Sequence, residues 1–415
     1  MPDDLTMRNM PVDAFAKYGL TRLINASGTE TVFGASPVCP EVLDAVNSLV
    51  QSSVVMFELQ SVAWHVIARV FEVEAGLVAH CTSAGIAISV AACMTGQDIA
   101  RVERLPDTTG MKNEVILQRG HNVGYGANIV QNMAQTGAKV IEIGATTECG
   151  AYQLAAAITP QTAAAMYVVS HHTVQSGLID LESFCRTCHE YNVPVIVDGA
   201  AEPEPRAFLR AGADLVITSM HKQFVGLTGA TIAGKQDLVR ACYYQDRGIA
   251  RPMKVGKEGV IATIAALERW EALDRKTIAA KLTARLTRGQ QRLNQLAGFS
   301  TVLELDSTSR LFSRLTLHID PTAAGLSAYD LSVALRTLDP GIAVRNLMAE
   351  NGILQIDLRQ ISDEVADYIF SSIETIAREP RRAGTNVPSS AAALSPNLAD
   401  LSLDSLRQFP LPARR

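Results

Sequence analysis

Lys222 and Asp198 are the two residues in this sequence whose types and spacing best suit joint chemistry. Asp198 closes the apolar run "VPVIVD" and is followed by the small residues of "GAAE". Lys222 follows a second apolar run, Leu215 to Ser219, inside "ADLVITSMHKQFVGLTGA". Lysine is seldom buried without a partner, and a desolvated lysine loses its proton readily, as a Schiff-base lysine must. In an open α/β sheet, ligands bind outside the carboxyl ends of the strands. An acid and a lysine at two successive strand ends, 24 residues apart (222 − 198), meet the demand of pyridoxal 5'-phosphate (PLP) chemistry. The acid pairs with a protonated pyridine nitrogen and the amine with the aldehyde. Alone, Asp198 reads as readily as a helix N-cap and Lys222 as a snorkelling side chain. The pair carries the inference.

PLP also needs a phosphate cradle. In "HCTSAGIAISVAA" a strand runs into Thr82, Ser83, Ala84 and Gly85, then a helix. Small residues let backbone N–H groups approach a phosphate, and a helix N-terminus favours the dianion. Thr82 and Ser83 add hydroxyls. An ordinary N-cap is the competing reading. Ser219 is a further donor, and "GLTGA" at 226–230, with Thr228, offers others, including across a dimer interface.

Two more loops follow strands. In "RGHNVGYGAN", His121 could stack on the pyridine ring; a solvated loop histidine is the alternative. In "SHHTVQSG" one of two histidines, with His171 the candidate, could hydrogen-bond cofactor or substrate. Arg251, Lys254 and Lys257 in "RPMKVGKEG" form a cationic segment that suits a substrate carboxylate or phosphate. Arg345 and Arg359 are candidate carboxylate clamps, because arginine grips bidentately. A solvated face and surface ion pairs are the bland alternatives for these five. "CRTCHE" has the C-x-x-C-H spacing of haem attachment, but it lies in a helical stretch before a buried strand and reads as two buried helix cysteines. No second Cys/His pair has zinc spacing, so no metal is expected.

The elements that must position these residues are legible as alternation. Apolar runs over Leu77–His80, Val115–Gln118, Lys139–Ile143, Met166–Ser170, Val195–Asp198, Leu215–Ser219 and Ala230–Ala233 read as strands, separated mostly by helix-compatible sequence. That pattern predicts an α/β domain with a mostly parallel seven-stranded sheet. The link "HKQFVGLTG" is too short for a helical crossover, so the last strand is expected to be antiparallel to its predecessor or not beside it. "GVIATIAALERWEALDRKTIAAKLTARLTRGQQRLNQL" reads as one long helix leading to a smaller α+β domain. The expected division is an N-terminal arm over 1–40, a large domain over 41–275, a small domain over 276–380 and a flexible Pro/Ser/Ala-rich tail over 381–415.

The chain has 415 residues, 47% hydrophobic and 19% charged, with a net charge of −5. A nucleic-acid footprint would be basic and clustered; none is visible, and a small-molecule partner is expected. "MPDDLTMRNM" lacks the features of a secretory signal, and no apolar run reaches membrane-spanning length. Seven cysteines scattered along the chain do not form a disulfide framework. A soluble, cytoplasmic protein is expected.

Taken together, "INASGT", "GAKVIEIGATTECGAYQLAAAITPQTAAAMYVV", "VIVDGAAE", "AGADLVITSMHKQFVGLTGATIAGK" and "RPMKVGKEGVIATIAALE" resemble the selenocysteine-synthase-like branch of fold-type I PLP enzymes over about residues 18–275. "RPMKVGKE" is closer to the D-glucosaminate-6-phosphate ammonia-lyase group than to the selenium transferases. Bacterial selenium transferases carry an extra N-terminal tRNA-binding region, for which few residues precede Tyr18. The resemblance implies the aspartate-aminotransferase-like fold and a homodimer or larger homo-oligomer. It implies Lys222 as the Schiff-base lysine, Asp198 as the pyridinium partner and Thr82 to Gly85 near the phosphate. The activity expected is a lyase that takes water and ammonia from a 2-amino-3-hydroxy acid. Racemisation, β-replacement and transamination are the alternatives on the same cofactor, and a non-catalytic scaffold is the alternative of another class.

Overall fold

The structure is a computed structural model and describes residues 13–305 and 312–379. The tail expected over 381–415 and the first twelve residues of the expected N-terminal arm lie outside the described residues. The strands among the described residues are β1 (Leu23–Ala26), β2 (Ala75–Ala79), β3 (Glu114–Gln118), β4 (Lys139–Ile143), β5 (Thr162–Val168), β6 (Val195–Asp198), β7 (Leu215–Ser219), β8 (Ala230–Gly234), β9 (Phe299–Leu305), β10 (Ser313–Ile319), β11 (Gly341–Val344) and β12 (Ile353–Ile356). They fall in two compact units. The larger takes residues 34–276 with Leu305 and Phe312; the smaller takes 13–33, Thr277–Glu304 and 313–379.

In the larger unit β2 to β8 make one sheet in the order β2-β8-β7-β6-β5-β3-β4. β3 runs parallel to β4 and β5, β5 to β6, and β6 to β7, while β8 is antiparallel to both β7 and β2. Every apolar run expected to form this sheet does so. β8 returns antiparallel because the link from Met220 to Gly229 cannot hold a crossover helix. β5 begins earlier than expected, at Thr162, since Ala163, Ala164 and Ala165 are buried although too small to mark an apolar run.

Both faces of the sheet are covered, as a parallel sheet requires. Val115 and Leu117 of β3 enter one core cluster and Ile116 the opposite one, the period-two alternation of a strand. The helix Thr82–Thr95 is apolar and small almost all round, and nearly every residue after Ser83 is buried. Gly85 lets it approach the sheet: a Cβ there would come within 2.8 Å of Ile217 Cγ2. The carboxyl ends of β2, β3, β5, β6 and β7 therefore open at one edge, with the start of this helix beside them.

One expectation fails. The single long helix is two, Lys257–Ala272 and Arg275–Leu293. Leu273 is extended (φ −69°, ψ 132°), and the Asp274 carboxylate accepts the Lys276 N–H at 3.1 Å, capping the second helix. In the smaller unit β9, β10 and β12 form a sheet in the order β12-β10-β9, and β1 pairs in parallel with β11. Helix Asp363–Arg378 lies along helix Arg275–Leu293 through a charge ladder. Arg285 reaches Asp363 at 3.0 Å, Arg288 reaches Asp367 at 3.1 Å and Arg292 reaches Glu374 at 2.9 Å.

Candidate active site

Asp198 ends β6 as a buried residue, 7% exposed, and its Oδ1 accepts the Ala200 N–H at 3.2 Å. Burial pushes its carboxyl up to about 6, against the pull of the Lys222 charge and the Ala200 N–H. A carboxylate held in that state needs a cationic partner. Lys222 supplies one charge from the turn after β7.

That turn is fastened from several sides. The Ser36 hydroxyl donates to the His221 carbonyl at 2.6 Å, and the Gln223 carboxamide donates to the Ala201 carbonyl at 3.0 Å. The Met220 and Gly226 amides close it through Gly229 O and Met220 O, each at 2.9 Å. Val225 pays for the shape with φ at +49°, a left-handed conformation that a β-branched residue rarely adopts. Such strain persists where surrounding structure over-determines it, commonly at functional sites. Gly226 and Gly229 allow helix Lys257–Ala272 close: a Cβ on them would lie 3.1 Å from Ala266 Cβ and 3.0 Å from Thr263 Oγ1. Thr228 is exposed and its hydroxyl meets the His221 ring at 3.3 Å. Ser219 is buried at the end of β7, its N–H bonded to Ala200 O at 3.1 Å.

His121 lies at the same edge, buried rather than solvated. Its Nδ1 accepts the Val168 N–H at 3.2 Å, and Val168 is the register partner of Asp198. The imidazole meets the Tyr167 ring edge-on, centroids 4.4 Å apart. Burial pushes its pKa down to about 4. An imidazole whose Nδ1 accepts carries its proton on Nε2, so His121 is a neutral N–H donor at pH 7 and not a base at Nδ1. Gln118 holds this corner: its carboxamide bonds both the N–H (2.8 Å) and the C=O (3.3 Å) of Ile179. His171 follows β5, its ring 3.8 Å from that of His172.

Thr82 and Ser83 open the first turn of helix Thr82–Thr95, but the N-cap is Cys81, whose Sγ accepts the Ala84 N–H at 3.5 Å. The Gly85 N–H is committed to Cys81 O at 2.9 Å. Gly85 therefore serves helix–sheet packing, and the donors left to a phosphate come from Thr82 and Ser83. Sequence reading passed over Tyr125 and Asn132. The Asn132 carboxamide donates to Ser83 O at 3.0 Å and to the Tyr125 hydroxyl at 2.8 Å. Tyr125 stands in the quoted "RGHNVGYGAN", but no spacing rule pairs position 125 with position 83.

The basic candidates are placed differently. Arg251 forms an exposed ion pair with Asp246 at 3.3 Å, Lys254 is exposed, and the Lys257 ammonium bonds the Ser52 carbonyl. All three belong to the larger unit. Arg345 and Arg359 belong to the smaller one. Arg359 forks Asp357, with Nε at 2.9 and 3.1 Å from its two oxygens, and Arg314 Nε adds a contact at 3.2 Å. Burial would raise the Asp357 carboxyl, but Arg359 and Arg314 hold it at about 2. A substrate carboxylate at Arg359 would have to share the guanidinium with Asp357. Arg345 bonds Gln355 through its backbone and lies near Glu30, whose carboxyl is raised by burial and pulled back by Arg345. Cys185 and Cys188 are buried in helix Leu181–Glu190, and burial pushes both thiols up to about 12. Among the described residues no helix is long and apolar enough to cross a membrane, and no cluster of three or more His, Cys, Asp or Glu could hold a metal.

A parallel sheet with one antiparallel strand, a buried acid and a lysine at adjacent strand ends, and a helix N-terminus beside them define a PLP-dependent enzyme of fold type I. The family model described as SelA, L-seryl-tRNA selenium transferase, matches residues 23–311, and the chain belongs to this family. It is similar to D-glucosaminate-6-phosphate ammonia lyase of Salmonella typhimurium, 34% identical over 89% of this chain and 99% of that protein. It is also similar to 5'-C-glycyluridine monooxygenase-decarboxylase of a Streptomyces species, 35% identical over 87% of this chain and 91% of that protein. A solved structure of D-glucosaminate-6-phosphate ammonia-lyase superposes with a TM-score of 0.80 at 34% identity, covering 89% of this chain and 99% of that one. Serine palmitoyltransferase of Sphingomonas wittichii, at 13% identity and a TM-score of 0.53, covering 86% and 87% of the two chains, shares the fold alone.

Proposed function

We propose that this protein is a PLP-dependent lyase that removes water and then ammonia from a 2-amino-3-hydroxy acid to give a 2-oxo acid. The substrate class is a sugar amino acid or its phosphate, of the D-glucosaminate-6-phosphate type. The observation that carries the reading is Lys222 facing a buried Asp198, in a chain whose match to an ammonia lyase spans 99% of that protein.

When bound, PLP supplies an electron sink for the bond broken at the substrate Cα. Asp198 would hold a proton on the pyridine nitrogen, a cation that would neutralise its buried carboxylate together with Lys222. Lys222 Nζ would hold the cofactor and, as a free amine, would take the substrate Cα proton and return a proton to the departing β-hydroxyl, which leaves as water. Hydrolysis of the dehydrated product yields the 2-oxo acid and ammonia. Thr82, Ser83 and the start of their helix receive the phosphate, with Ser219 and Thr228 as further donors. His121 would lie against the pyridine ring, and His171 would bond cofactor or substrate. Arg251, Lys254 and Lys257, with Arg345 and Arg359, are assigned to the substrate's anionic groups. In this reading residues 41–275 form the cofactor domain and 276–380 the smaller one, and the protein is a cytoplasmic homodimer or larger homo-oligomer.

The equal likeness to 5'-C-glycyluridine monooxygenase-decarboxylase favours one second reading, an oxygen-consuming decarboxylation on the same residues. Incubation with D-glucosaminate 6-phosphate separates the two. Ammonia and 2-oxo acid released in equal amounts without oxygen uptake are expected. Carbon dioxide release with oxygen uptake would replace elimination with the second reading. Racemised, β-substituted or transaminated products, or no turnover across a panel of hydroxy amino acids, would remove the lyase assignment.

A further inference from the structure

Among the described residues four that are not glycine have a positive φ, and two of them are Ala35, at +61°, and Val225, at +49°. These two lie on the two sides of one contact. Segment 36–39 runs against the turn that carries Lys222. The Ser36 hydroxyl donates to the His221 carbonyl at 2.6 Å, and the Cys39 N–H donates to the Val225 carbonyl at 3.0 Å. The two bonds bracket Lys222, one acting just before it and one three residues after it. Ser36 and Cys39 are both buried, where a hydrogen bond is stronger than in water. Inside the bracket the Val225 N–H donates to the Lys222 carbonyl at 3.4 Å. The Gln223 carboxamide ties the same turn to Ala201, in the loop after Asp198. Left-handed alanine and valine persist where surrounding structure over-determines them, and here they flank the bonds that do so.

We infer that segment 36–39 is a clamp on the lysine turn and that Ser36 is a positioning residue for Lys222. The inference rests on the PLP reading above. The His221 carbonyl and the Lys222 N–H and Cα belong to one planar peptide unit. Fixing that oxygen fixes the direction in which the Lys222 side chain leaves the backbone. The side chain is a flexible four-carbon stem, so placing its amine begins with placing its Cα. A misplacement of about 1 Å at a reacting group costs roughly a hundredfold in rate. Removing the Ser36 hydroxyl leaves the His221 carbonyl without this donor, and the strain at Val225 then drives the turn to relax.

The test compares wild type, Ser36→Ala, Ser36→Thr and Cys39→Pro. Cys39 has φ at −74°, within the range a proline ring fixes, so Cys39→Pro removes the N–H and keeps the local backbone. Two quantities are read. Hydrogen exchange of the apoproteins is followed by mass spectrometry over peptides covering 220–226, with helix Thr82–Thr95 as control. The rate of PLP attachment to Lys222 is followed by borohydride trapping at timed intervals. Ser36→Ala and Cys39→Pro are each expected to speed exchange over 220–226 about five- to tenfold and to slow trapping by a similar factor, with the control helix unchanged. Ser36→Thr keeps the donor and should match wild type in both. Wild-type exchange and trapping in Ser36→Ala and Cys39→Pro overturn the inference. So does faster exchange with wild-type trapping, the outcome of a bond that only stabilises the fold. Exchange that rises in the control helix as well, or a Ser36→Thr protein that behaves as Ser36→Ala, also overturns it. Should Ser36→Ala fail to fold, Cys39→Pro decides alone. A wild type whose turn is protected but which never attaches PLP to Lys222 overturns the PLP reading and the inference with it.

Discussion

Two buried titratable residues at the site respond to pH in opposite directions. Asp198 titrates at about 6 in the fold, above its ordinary value, because burial disfavours its charge. Between those values the folded apoprotein binds the extra proton, so this contribution to stability is present at low pH and is lost as pH rises through about 6. Asp198→Asn removes the buried charge. Its apoprotein should melt higher than wild type above pH 6, with the gap closing below pH 4. His121 titrates at about 4, below its ordinary value. Here the unfolded chain binds the proton first, so stability is lost as pH falls from about 6.5 towards 4. His121→Gln, which cannot titrate, should flatten that part of the curve in thermal melts recorded from pH 7 to 4. A melting curve of His121→Gln parallel to wild type through this range would contradict the neutral, Nδ1-accepting imidazole.

At the scale of elements, the sheet was legible because its strands are runs of Val, Ile and Leu buried on both faces, such as "VIVD" and "LVITS". The acid and the lysine were legible because each ends such a run. What escaped the sequence are relations between segments that no period encodes. The break at Leu273 escaped because apolar spacing continues through it, and only Asp274 signals a cap. The Asn132 hydrogen bond to the Ser83 carbonyl joins residues 49 apart in the chain. Val225 looked like part of an ordinary loop, and its strain appears only once the turn is closed from Ser36 and Gly229. Gly85 was read for a phosphate, and the structure adds a second need for a glycine there, the contact with Ile217. Gly85→Ala is therefore expected to cost about 1–3 kcal/mol of stability through overpacking, measured by denaturant unfolding of the apoprotein. If it weakened PLP binding while leaving unfolding unchanged, the glycine would belong to the cradle after all.

At the scale of the whole molecule, the larger unit alone contains Asp198, Lys222, His121 and the first turn of helix Thr82–Thr95. The chain carries a net charge of −5, and a polyanion would have to be held by clustered Lys and Arg. The family name speaks of a seryl-tRNA reaction, and a bound tRNA would contradict the small-molecule reading in a mobility-shift assay at physiological salt. Light scattering of the holoenzyme is expected to give at least twice the chain mass, and a monomer with full turnover would remove the proposed assembly. The most direct measurement is borohydride reduction of the yellow holoenzyme followed by peptide mass mapping, with Lys222→Ala alongside. The account predicts that the near-visible band is bleached, that a reduced pyridoxyl phosphate mass sits on the peptide containing Lys222, and that the variant carries no such attachment. A modification on another lysine, or a colourless protein that ignores added PLP, would contradict it.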